Sequence, residues 1–275
     1  MTALKQLLKE KLTKKELLLF RGSFDIIGTI ALVEIPKELE KKEKIIASAV
    51  LSLNPHIKTI AKKIGAHKGI YRRQKLIIIA GEKTKITEHK ESGVLLRLHV
   101  ESCYFSPRLV SERLRIASLV KTKERILVLF SGIGPYPLVL AKHSPAKSIV
   151  GIELNPIAYK FAQENVLLNK YTEKIRLVHG NVRTILPRIK RTFDRIIMPL
   201  PKEGQLFLDL VFPKIKKGGT IHLYQFVPED SFEKYTEQVV NIGKQHKKNI
   251  KVIQIIKAGQ HSPRVYRVCL DIIVT

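Results

Sequence analysis

The sequence predicts an α/β protein in which a small α+β domain precedes a larger domain built on a mostly parallel sheet. From about residue 126, apolar strand-like runs alternate with helical segments, a pattern typical of a parallel sheet covered on both faces. Between residues 54 and 105, strand-like runs follow one another with no predicted helix between them. After residue 249, two strand-like runs joined by a Gly/Pro loop suggest an antiparallel hairpin at the sheet edge.

The first domain is expected over residues 1–105. Its predicted elements are, in order, one amphipathic helix over 1–20, a strand over 23–36 broken at Gly28 and stopped by Pro36, a helix over about 37–53, and strands or hairpins in IKTIAKKIG, KLIIIAGE, KITEHKESG and VLLRLHVESCYF. Ser92 and Gly93 supply turn chemistry before the last strand.

The second domain is expected over residues 106–275. A helix should begin near Ser111, because SERLRIASLV places its apolar residues largely on one face. The predicted elements that follow are strand 126–130, helix 135–143, strand 148–153, helix 156–169, strand 175–179, helix 181–190, strand 194–198, helix 203–216 and strand 219–226.

The charge balance points to a polyanionic partner. The chain has 50 Lys and Arg residues against 24 Asp and Glu residues, a formal net charge of +26. RNA and DNA are the first candidates for such a surface, although a lysine-rich surface can also serve solubility or thermal stability alone. At 44% hydrophobic residues, the composition is that of a folded globular protein.

The two cysteines, Cys103 and Cys269, lie far apart in apolar contexts and show no metal-ligand spacing. We therefore expect neither a structural disulfide nor a metal site. The N-terminal segment is rich in lysine and lacks the long apolar core and the small-residue cleavage site of a signal peptide. No apolar run approaches the roughly 18 residues of a membrane span. The expectation is a cytoplasmic protein with no membrane association and no evident protein partner.

The stretch ILVLFSGIGPYPL, residues 126–138, predicts a strand that runs into a glycine loop. At the carboxyl end of a parallel strand, such a loop lets a ligand approach the backbone closely. Gly132 and Gly134 are not followed by the third glycine of a dinucleotide fingerprint, and the Gly-Lys-Ser/Thr of a Walker loop is absent. A nucleoside without a phosphate fits the loop better.

Two residues at the ends of the next strands extend this candidate site. Glu153 ends IVGIE about twenty residues after the loop, where a carboxylate can accept both ribose hydroxyls. It could also be an exposed residue before a helix that Asn155 caps. Asn181 ends the third strand and could meet an adenine edge, although it could equally serve as a helix cap.

The motifs FSGIGP, GIELNP, GNVR and RIIMPLP, in this order, resemble those of class I S-adenosylmethionine-dependent methyltransferases. SFDIIG, GAHKGIYR, IIAGE, YFSPRL and PRVY make the chain more closely similar to the archaeal and eukaryotic-type tRNA guanine-37 N1-methyltransferases. The aminocarboxypropyl transferase of wyosine synthesis is a near relative of that family. The resemblance runs from about Ser23 to the end.

The resemblance implies S-adenosyl-L-methionine as cofactor, a Rossmann-like fold for the second domain and a tRNA anticodon loop as substrate. The cofactor-binding residues it implies are Tyr104, Phe130, Gly132, Gly134, Pro135, Glu153, Leu154, Asn181, Val182, Pro199, Leu200 and Pro201. It also implies Glu112 as general base and Arg72 as the cation that stabilises negative charge on guanine O6.

Methylation of guanine N1 needs both groups, because N1 carries a proton and charge accumulates on O6 when that proton leaves. From the residues alone, Glu112 is better explained as a carboxylate favoured at a helix start, and the resemblance reverses that preference. Arg72, Arg73, Arg108, Arg113 and Lys68 are the candidate RNA contacts, with Lys62 and Lys63 as further phosphate contacts.

The chain departs from the family pattern at three places. Val128 replaces an acidic residue in the glycine-loop strand, which removes one polar contact to the cofactor. Pro199, in Pro199-Leu200-Pro201, replaces the Asn expected to hold the target base. Members often carry an extra N-terminal domain that grips the tRNA corner, whereas this chain begins almost at the second domain, so its tRNA recognition is expected to be reduced.

Three functions remain open from the sequence. The first is N1-methylation of guanosine 37 in tRNA, which the presence of Glu112 favours. The second is transfer of the aminocarboxypropyl arm of the same cofactor to a wyosine precursor. The third is a catalytically silent RNA-binding protein, which Val128 and Pro199 would permit. A nicotinamide-dependent reductase is disfavoured, because the loop lacks the phosphate fingerprint.

Overall fold

The computed structural model describes residues 3–20 and 22–275. The chain divides into two compact units, an N-terminal unit that ends at Pro107 and a C-terminal unit over Arg108–Thr275. The sequence placed this division between residues 105 and 106.

The N-terminal unit contains helices α1 to α3 and strands β1 to β6. They are α1 Ala3–Leu8, α2 Lys14–Leu19, β1 Asp25–Ile27, β2 Ile30–Val33, α3 Glu43–Leu53, β3 Thr59–Lys68, β4 Arg73–Gly81, β5 Ile86–Glu91 and β6 Val94–His99, with a 3₁₀ helix at Lys37–Lys42. A four-stranded sheet has the order β1-β2-β3-β4, and β5 and β6 form a separate hairpin. Its core packs α1 and α3 residues such as Leu8 and Ile46 against sheet residues such as Ile60.

The single helix predicted over residues 1–20 is wrong, because the described part of this segment forms two short helices. Thr13 caps the start of the second helix: its hydroxyl accepts a hydrogen bond from the Glu16 N–H, and the Glu16 carboxylate accepts one from the Thr13 N–H. This capping box begins a new helix. Residues 1 and 2 lie outside the described residues.

The break predicted at Gly28 is confirmed as the turn between β1 and β2. Gly28 has a φ of +55°, and a Cβ at this position would lie 2.2 Å from the Glu88 carbonyl oxygen. Only glycine therefore fits here.

The C-terminal unit contains helices α4 to α9 and strands β7 to β13. They are α4 Val110–Ser118, β7 Arg125–Leu129, α5 Pro135–His143, β8 Ser148–Glu153, α6 Pro156–Leu168, β9 Ile175–His179, α7 Val182–Arg188, β10 Phe193–Met198, α8 Leu208–Val211, β11 Ile215–Pro228, α9 Phe232–Gln245, β12 Ile250–Ser262 and β13 Val265–Val274. The seven-stranded sheet has the order β12-β13-β11-β10-β7-β8-β9. Its core includes Leu127, Ile152, Ile196 and Leu223.

Strands β7 to β11 are parallel, and β12 and β13 add an antiparallel hairpin at one edge. The predicted fold class, a mostly parallel sheet with an antiparallel C-terminal hairpin, is confirmed. The carboxyl ends of β7, β8, β9 and β10 meet at one edge of the sheet, and the predicted cofactor-binding residues in 130–135, 153–154, 181–182 and 199–201 directly follow or end these strands.

The helix predicted over 203–216 is wrong. Residues Gly204–Phe207 form a 3₁₀ turn, α8 is one turn long, and β11 already begins at Ile215. Pro213 cannot donate the backbone hydrogen bond that a longer helix requires. Helix α9, to which the sequence analysis assigned no element, buries Tyr235, Val239 and Gly243 at successive intervals of four residues. No helix in the described part of the chain is long and apolar enough to cross a membrane.

Candidate active site

The glycine loop follows β7 and leads directly into α5. Phe130, Gly132 and Gly134 all have positive φ, of 54°, 58° and 88°. The fully buried Asn165 of α6 fixes the loop, because its amide donates to the Ile133 carbonyl over 3.0 Å. The bare backbone of the loop is therefore held in one conformation.

Helix α5 is a poor phosphate site. Gly134 is its N-cap, and Pro135 and Pro137 stand at its first and third positions. Proline has no N–H, so two of the backbone donors that usually bind an anion at a helix start are missing. The loop residues 130–136 also include no Lys or Arg. This chemistry suits a cationic sulfonium nucleoside better than a pyrophosphate.

Glu153 lies at the carboxyl end of β8 and closes the loop. One carboxylate oxygen accepts from the Gly132 N–H over 2.7 Å, and the other accepts from the Asn155 N–H over 2.7 Å. Burial raises the pKa of Glu153, and these two N–H groups act against that rise. Each oxygen keeps a second lone pair with which it can accept from a ligand hydroxyl.

The other predicted residues at this edge are mostly held by backbone contacts. Asn181 caps α7 by accepting from the Arg183 N–H over 2.9 Å, one of the two roles the sequence allowed. Val182 is buried, and the Leu154 carbonyl lies 3.2 Å from His179 Nε2. The ring of Phe130 packs edge-on against Phe207, with centroids 5.0 Å apart.

The segment Pro199-Leu200-Pro201 follows β10 at the same edge. The Pro201 carbonyl accepts from the Phe226 N–H over 3.1 Å, and the Leu200 N–H donates to the Met198 carbonyl. Val128 is fully buried between Gly151 of β8 and Ile197 of β10 and offers no polar group.

Glu112 lies in the first turn of α4, with 6% of its surface exposed. Arg115 donates to both of its oxygens, over 2.7 and 2.8 Å, and the Tyr224 hydroxyl donates to Oε1 over 2.5 Å. Tyr136 in turn donates to the Tyr224 hydroxyl over 2.9 Å. Because Tyr136 is the second residue of α5, two hydroxyls connect the Glu112 carboxylate to the first turn after the glycine loop.

The same network extends across the sheet to Glu124. Arg115 donates to Asp271, which also accepts from His222 Nδ1 over 2.6 Å. Arg195 donates to His222 Nε2 and forms a two-point ion pair with Glu124. Since Arg195 can only donate, His222 carries its proton on Nδ1 and is neutral. Burial lowers the pKa of His222, and the Arg195 charge acts in the same direction.

His222, Cys269 and Asp271 bring three potential metal-ligand atoms within 4.8 Å of one another. The hydrogen-bond network accounts for all three, because His222 and Cys269 both donate to Asp271 Oδ1. The guanidinium groups of Arg115 and Arg195 contact the same cluster and would repel a cation. We therefore assign no metal to it.

In the N-terminal unit, Arg72 and Tyr104 form a stacked pair. The Arg72 guanidinium carbon lies 4.4 Å from the Tyr104 ring centroid, and the ring of His67 meets the same tyrosine edge-on at 5.2 Å. Arg72 lies at the β3–β4 turn with a φ of +52°. Burial lowers the pKa of His67, and the nearby Arg72 charge lowers it further.

The basic residues predicted to contact RNA fall into two groups. Lys68, Arg73 and Arg108 are exposed, so they remain candidates. Three others are occupied or covered. Lys62 is paired with Glu43 and Glu40, Lys63 is paired with Asp25 and Glu34, and Arg113 is 2% exposed with its guanidinium 5.9 Å from the Tyr136 ring. We therefore do not propose these three residues as phosphate contacts.

Sequence reasoning missed the residues that hold Glu112 and the loop in place, namely Arg115, Tyr224, Asp271 and Asn165. Asp271 gave one usable signal, because a lone carboxylate in the apolar run VCLDIIV needs a buried partner. Arg115 gave a second, because it lies three residues after Glu112 on a helix. Tyr224 and Asn165 gave none.

Comparison with known families shows that residues 87–253 match the TRM5/TYW2 methyltransferase domain. The chain belongs to this family. Residues 4–84 match the TYW2 N-terminal domain. The predicted membership and class I methyltransferase fold are confirmed.

Curated members of the TRM5/TYW2 family include proteins named for different reactions. The tRNA (guanine(37)-N(1))-methyltransferase Trm5b of Pyrococcus abyssi is 36% identical, over 90% of this chain and 74% of the relative. Taw22 of Nanoarchaeum equitans, named as a tRNA (guanine(37)-N(1))/4-demethylwyosine(37)-methyltransferase, is 32% identical over 91% and 99%. The aminocarboxypropyltransferase of Pyrococcus horikoshii is 28% identical over 98% and 95%.

Solved structures of TRM5/TYW2 proteins superpose closely on the chain. Trm5b from P. abyssi gives a TM-score of 0.87 at 35% identity, over 96% of this chain and 78% of that one. A complex of aTrm5 with tRNALeu gives 0.84 at 28% identity, over 98% and 78%. TYW2 of P. horikoshii in complex with MeSAdo gives 0.81 at 26% identity, over 98% and 97%.

Proposed function

We propose that the protein transfers the methyl group of S-adenosyl-L-methionine to N1 of guanosine 37 in tRNA. One observation carries the proposal: the Glu112 carboxylate is tied through the hydroxyls of Tyr224 and Tyr136 to the first turn after the glycine loop. The candidate base and the cofactor loop thus belong to one hydrogen-bonded unit. The named activity of the P. abyssi relative supports the same reaction.

The cofactor is S-adenosyl-L-methionine, which supplies an electrophilic methyl group for in-line displacement. Glu153 accepts from the ribose hydroxyls while its contacts to Gly132 and Asn155 hold the loop in shape. Gly132 and Gly134 let the nucleoside lie against the backbone. The remainder of the proposed contact set consists of Tyr104, Phe130, Pro135, Leu154, Asn181, Val182 and the segment 199–201.

Glu112 takes the N1 proton of guanine, and this makes the N1 lone pair available to the methyl group. Oε2 of Glu112 accepts a hydrogen bond only from Arg115 Nε, so it keeps a second lone pair with which it can accept the N1 proton. Arg115 and Tyr224 hold the carboxylate in place. Arg72 stabilises the negative charge that develops on O6.

The substrate is a tRNA, as the +26 charge and the named relatives support. A nucleotide in a single-stranded loop is recognised by splaying its base onto side chains. The Arg72–Tyr104 stack suits such a base, and Lys68, Arg73 and Arg108 are the proposed phosphate contacts. The protein is expected in the cytoplasm, where tRNA is modified.

Two features favour a second candidate, the aminocarboxypropyl transfer named for the P. horikoshii relative. The match of residues 4–84 to the TYW2 N-terminal domain points in that direction, and Pro199 removes the Asn side chain that the methyltransferase pattern places near the base. The two reactions differ in which carbon of the sulfonium faces the base.

The deciding experiment incubates the purified chain with unmodified tRNA transcript and S-adenosylmethionine, followed by digestion and mass spectrometry of the nucleosides. We expect 1-methylguanosine at the nucleotide after the anticodon, with the rate reduced about 100- to 10,000-fold in Glu112→Gln. Glu112→Asp keeps the charge and tests whether position matters. Glu233→Gln, an exposed carboxylate in the first turn of α9, is the matched control.

A 4-demethylwyosine-containing tRNA is offered in parallel. Detection of a nucleoside heavier by the aminocarboxypropyl group would overturn methyl transfer and support the second candidate. Tight binding of cofactor and tRNA without any product would identify a silent binder.

A further inference from the structure

The C-terminal unit contains a cavity of about 330 Å³ under the last turn of α7. Its apolar floor includes Val178 of β9 and Ile185 of α7. Four cationic side chains surround the floor: Arg176, Arg188, Lys190 and Arg191. A cavity lined by both apolar and cationic side chains favours a ligand that has both a ring and negative charges.

These four cations are available to a ligand. All are exposed, and within residues 3–20 and 22–275 none of them makes a hydrogen bond, ion pair or ring contact through its side chain. The neighbouring carboxylate of Asp194 is already paired with Lys216 over 2.6 Å. No carboxylate in the described part of the chain is therefore paired with these four cations.

The segment that bears three of the cations is held in place. Lys214 donates to the backbone carbonyls of Pro187 over 3.2 Å and Ile189 over 2.7 Å, which caps the end of α7. The cavity thus has a fixed wall.

The cavity is separate from the cofactor loop. Arg176 is the second residue of β9 and pairs with Val150, whereas Glu153 and His179 mark the carboxyl ends of these strands. At roughly 3.3 Å per residue, Arg176 lies about 10 Å back along the strand from that edge.

We propose that this cavity is a second RNA subsite, which binds one nucleotide of the tRNA outside the nucleotide that is modified. The base lies on the apolar floor, and the flanking phosphates contact the four cations. The volume is at the low end for ligand pockets, roughly 300–1,000 Å³, and fits a single nucleotide. The proposal rests on tRNA being the substrate, as in the proposed function.

The test measures the affinity of fluorescent, unmodified tRNA by anisotropy over a salt series. Arg188→Gln/Arg191→Gln is compared with Lys244→Gln/Lys247→Gln, which removes the same charge from exposed residues at the end of α9. We expect the first variant to lose on the order of tenfold in affinity and to lower the slope of log affinity against log salt by about 2. The tRNA affinity of the control should change by less than about threefold, because its two substitutions lower only the overall charge.

Equal losses in the two variants would overturn the subsite, since net charge alone would then explain them. A second arm irradiates the wild-type complex with 4-thiouridine-substituted tRNA and maps the crosslinked peptide. Crosslinks within residues 176–191 support the subsite. Crosslinks confined to other segments overturn it.

Free AMP is the other ligand of the cavity that the experiment must distinguish from RNA. Saturable AMP binding that Arg188→Gln/Arg191→Gln abolishes, with tRNA affinity unchanged, would make the cavity a mononucleotide site and overturn the RNA subsite. Methylation of an anticodon stem-loop is measured for both variants, because this activity tests the proposed function independently of the subsite. Methylation that persists while the subsite prediction fails would leave the proposed function intact. Absence of any tRNA binding by the wild type would overturn both.

Discussion

The Tyr224 hydroxyl donates a hydrogen bond to Glu112 over 2.5 Å, and it accepts one from Tyr136. Burial raises the pKa of Tyr224 well above its ordinary value, and the neighbouring Cys269, Tyr136 and Glu112 add to that rise. Tyr224 therefore stays protonated near neutral pH and can donate to Glu112. This makes Tyr224 a positioning residue for the proposed base.

Tyr224→Phe is expected to lower the rate of methyl transfer about tenfold while leaving the Kd for cofactor unchanged, because a misplaced group loses proximity and orientation. Single-turnover kinetics with saturating tRNA measures this. Tyr136→Phe is the comparison variant, since it keeps the Tyr224–Glu112 contact and removes only the contact between Tyr224 and the first turn of α5. Equal rates for the two variants would show that Tyr224 does not position the base.

The stack of Arg72 on Tyr104 gives a prediction for the N-terminal unit. Tyr104→Leu removes the ring, and a cation–π contact of about 0.5–2 kcal/mol should cost roughly 2- to 30-fold in the methylation rate. Arg72→Asn removes the cation and retains a residue that tolerates positive φ. It should lose more than Tyr104→Leu if Arg72 also stabilises O6.

Tyr71→Leu is the control for this pair, because Arg73 stacks on Tyr71 at 5.0 Å in the same hairpin. A similar loss in Tyr71→Leu would indicate a general effect on the hairpin. It would not support a role specific to Arg72.

Glu153 links cofactor binding to pH. Its pKa is raised by burial, so it takes up a proton at a higher pH than an ordinary carboxyl group. Only the ionised carboxylate can accept from both ribose hydroxyls and both backbone N–H groups. Cofactor affinity should fall as the pH decreases through this raised pKa.

Calorimetric titrations with S-adenosylmethionine from pH 8 to pH 5 test this. Glu153→Gln should bind the cofactor at least about tenfold more weakly, because its amide NH₂ would face a backbone N–H. It should also lose the pH dependence, because glutamine has no carboxyl group to titrate. The exposed Glu173→Gln should behave as wild type. A wild-type affinity that is flat over the range would rule out the link.

The sequence predicted the sheet best where signals were local. Between residues 125 and 188 each apolar strand is followed by a helix whose start is marked by Asn155 or Asn181, or by Pro135. The two wrong helix predictions have local causes, which the spacing of the apolar residues does not reveal. Thr13 divides the first predicted helix and Pro213 shortens another.

The site divides in the same way. The glycine loop and Glu153 are about twenty residues apart and could be inferred from one strand-loop-strand pattern. The contacts that fix Glu112 join residues 112 positions apart in the case of Tyr224, and Arg115 and Asp271 are 156 positions apart. No periodicity in a single sequence reports such pairs, because they depend on strand order in the sheet.

His222 makes the stability of the C-terminal unit sensitive to acid. In the folded chain its pKa is lowered by burial, while in the unfolded chain it is near 6.5. Below that pH the unfolded state binds a proton that the folded state does not, so the free energy of unfolding decreases as the pH falls. The decrease for one such group reaches at most about 1.4 kcal/mol per pH unit.

Urea unfolding of wild type and His222→Gln between pH 7.5 and 5 isolates this contribution. The difference is needed because the pKa values of His67 and His99 are also lowered, chiefly by burial, so they add slope to both proteins. Burial alone would raise the pKa of Asp271, but hydrogen bonds from His222 and Arg115 hold it below 3.8, so Asp271 contributes only at lower pH. We expect His222→Gln to be less stable at pH 7.5 and to have the shallower slope below pH 6.5. Identical slopes would mean that His222 gains its proton in the folded state, which the donor geometry of Arg195 does not permit.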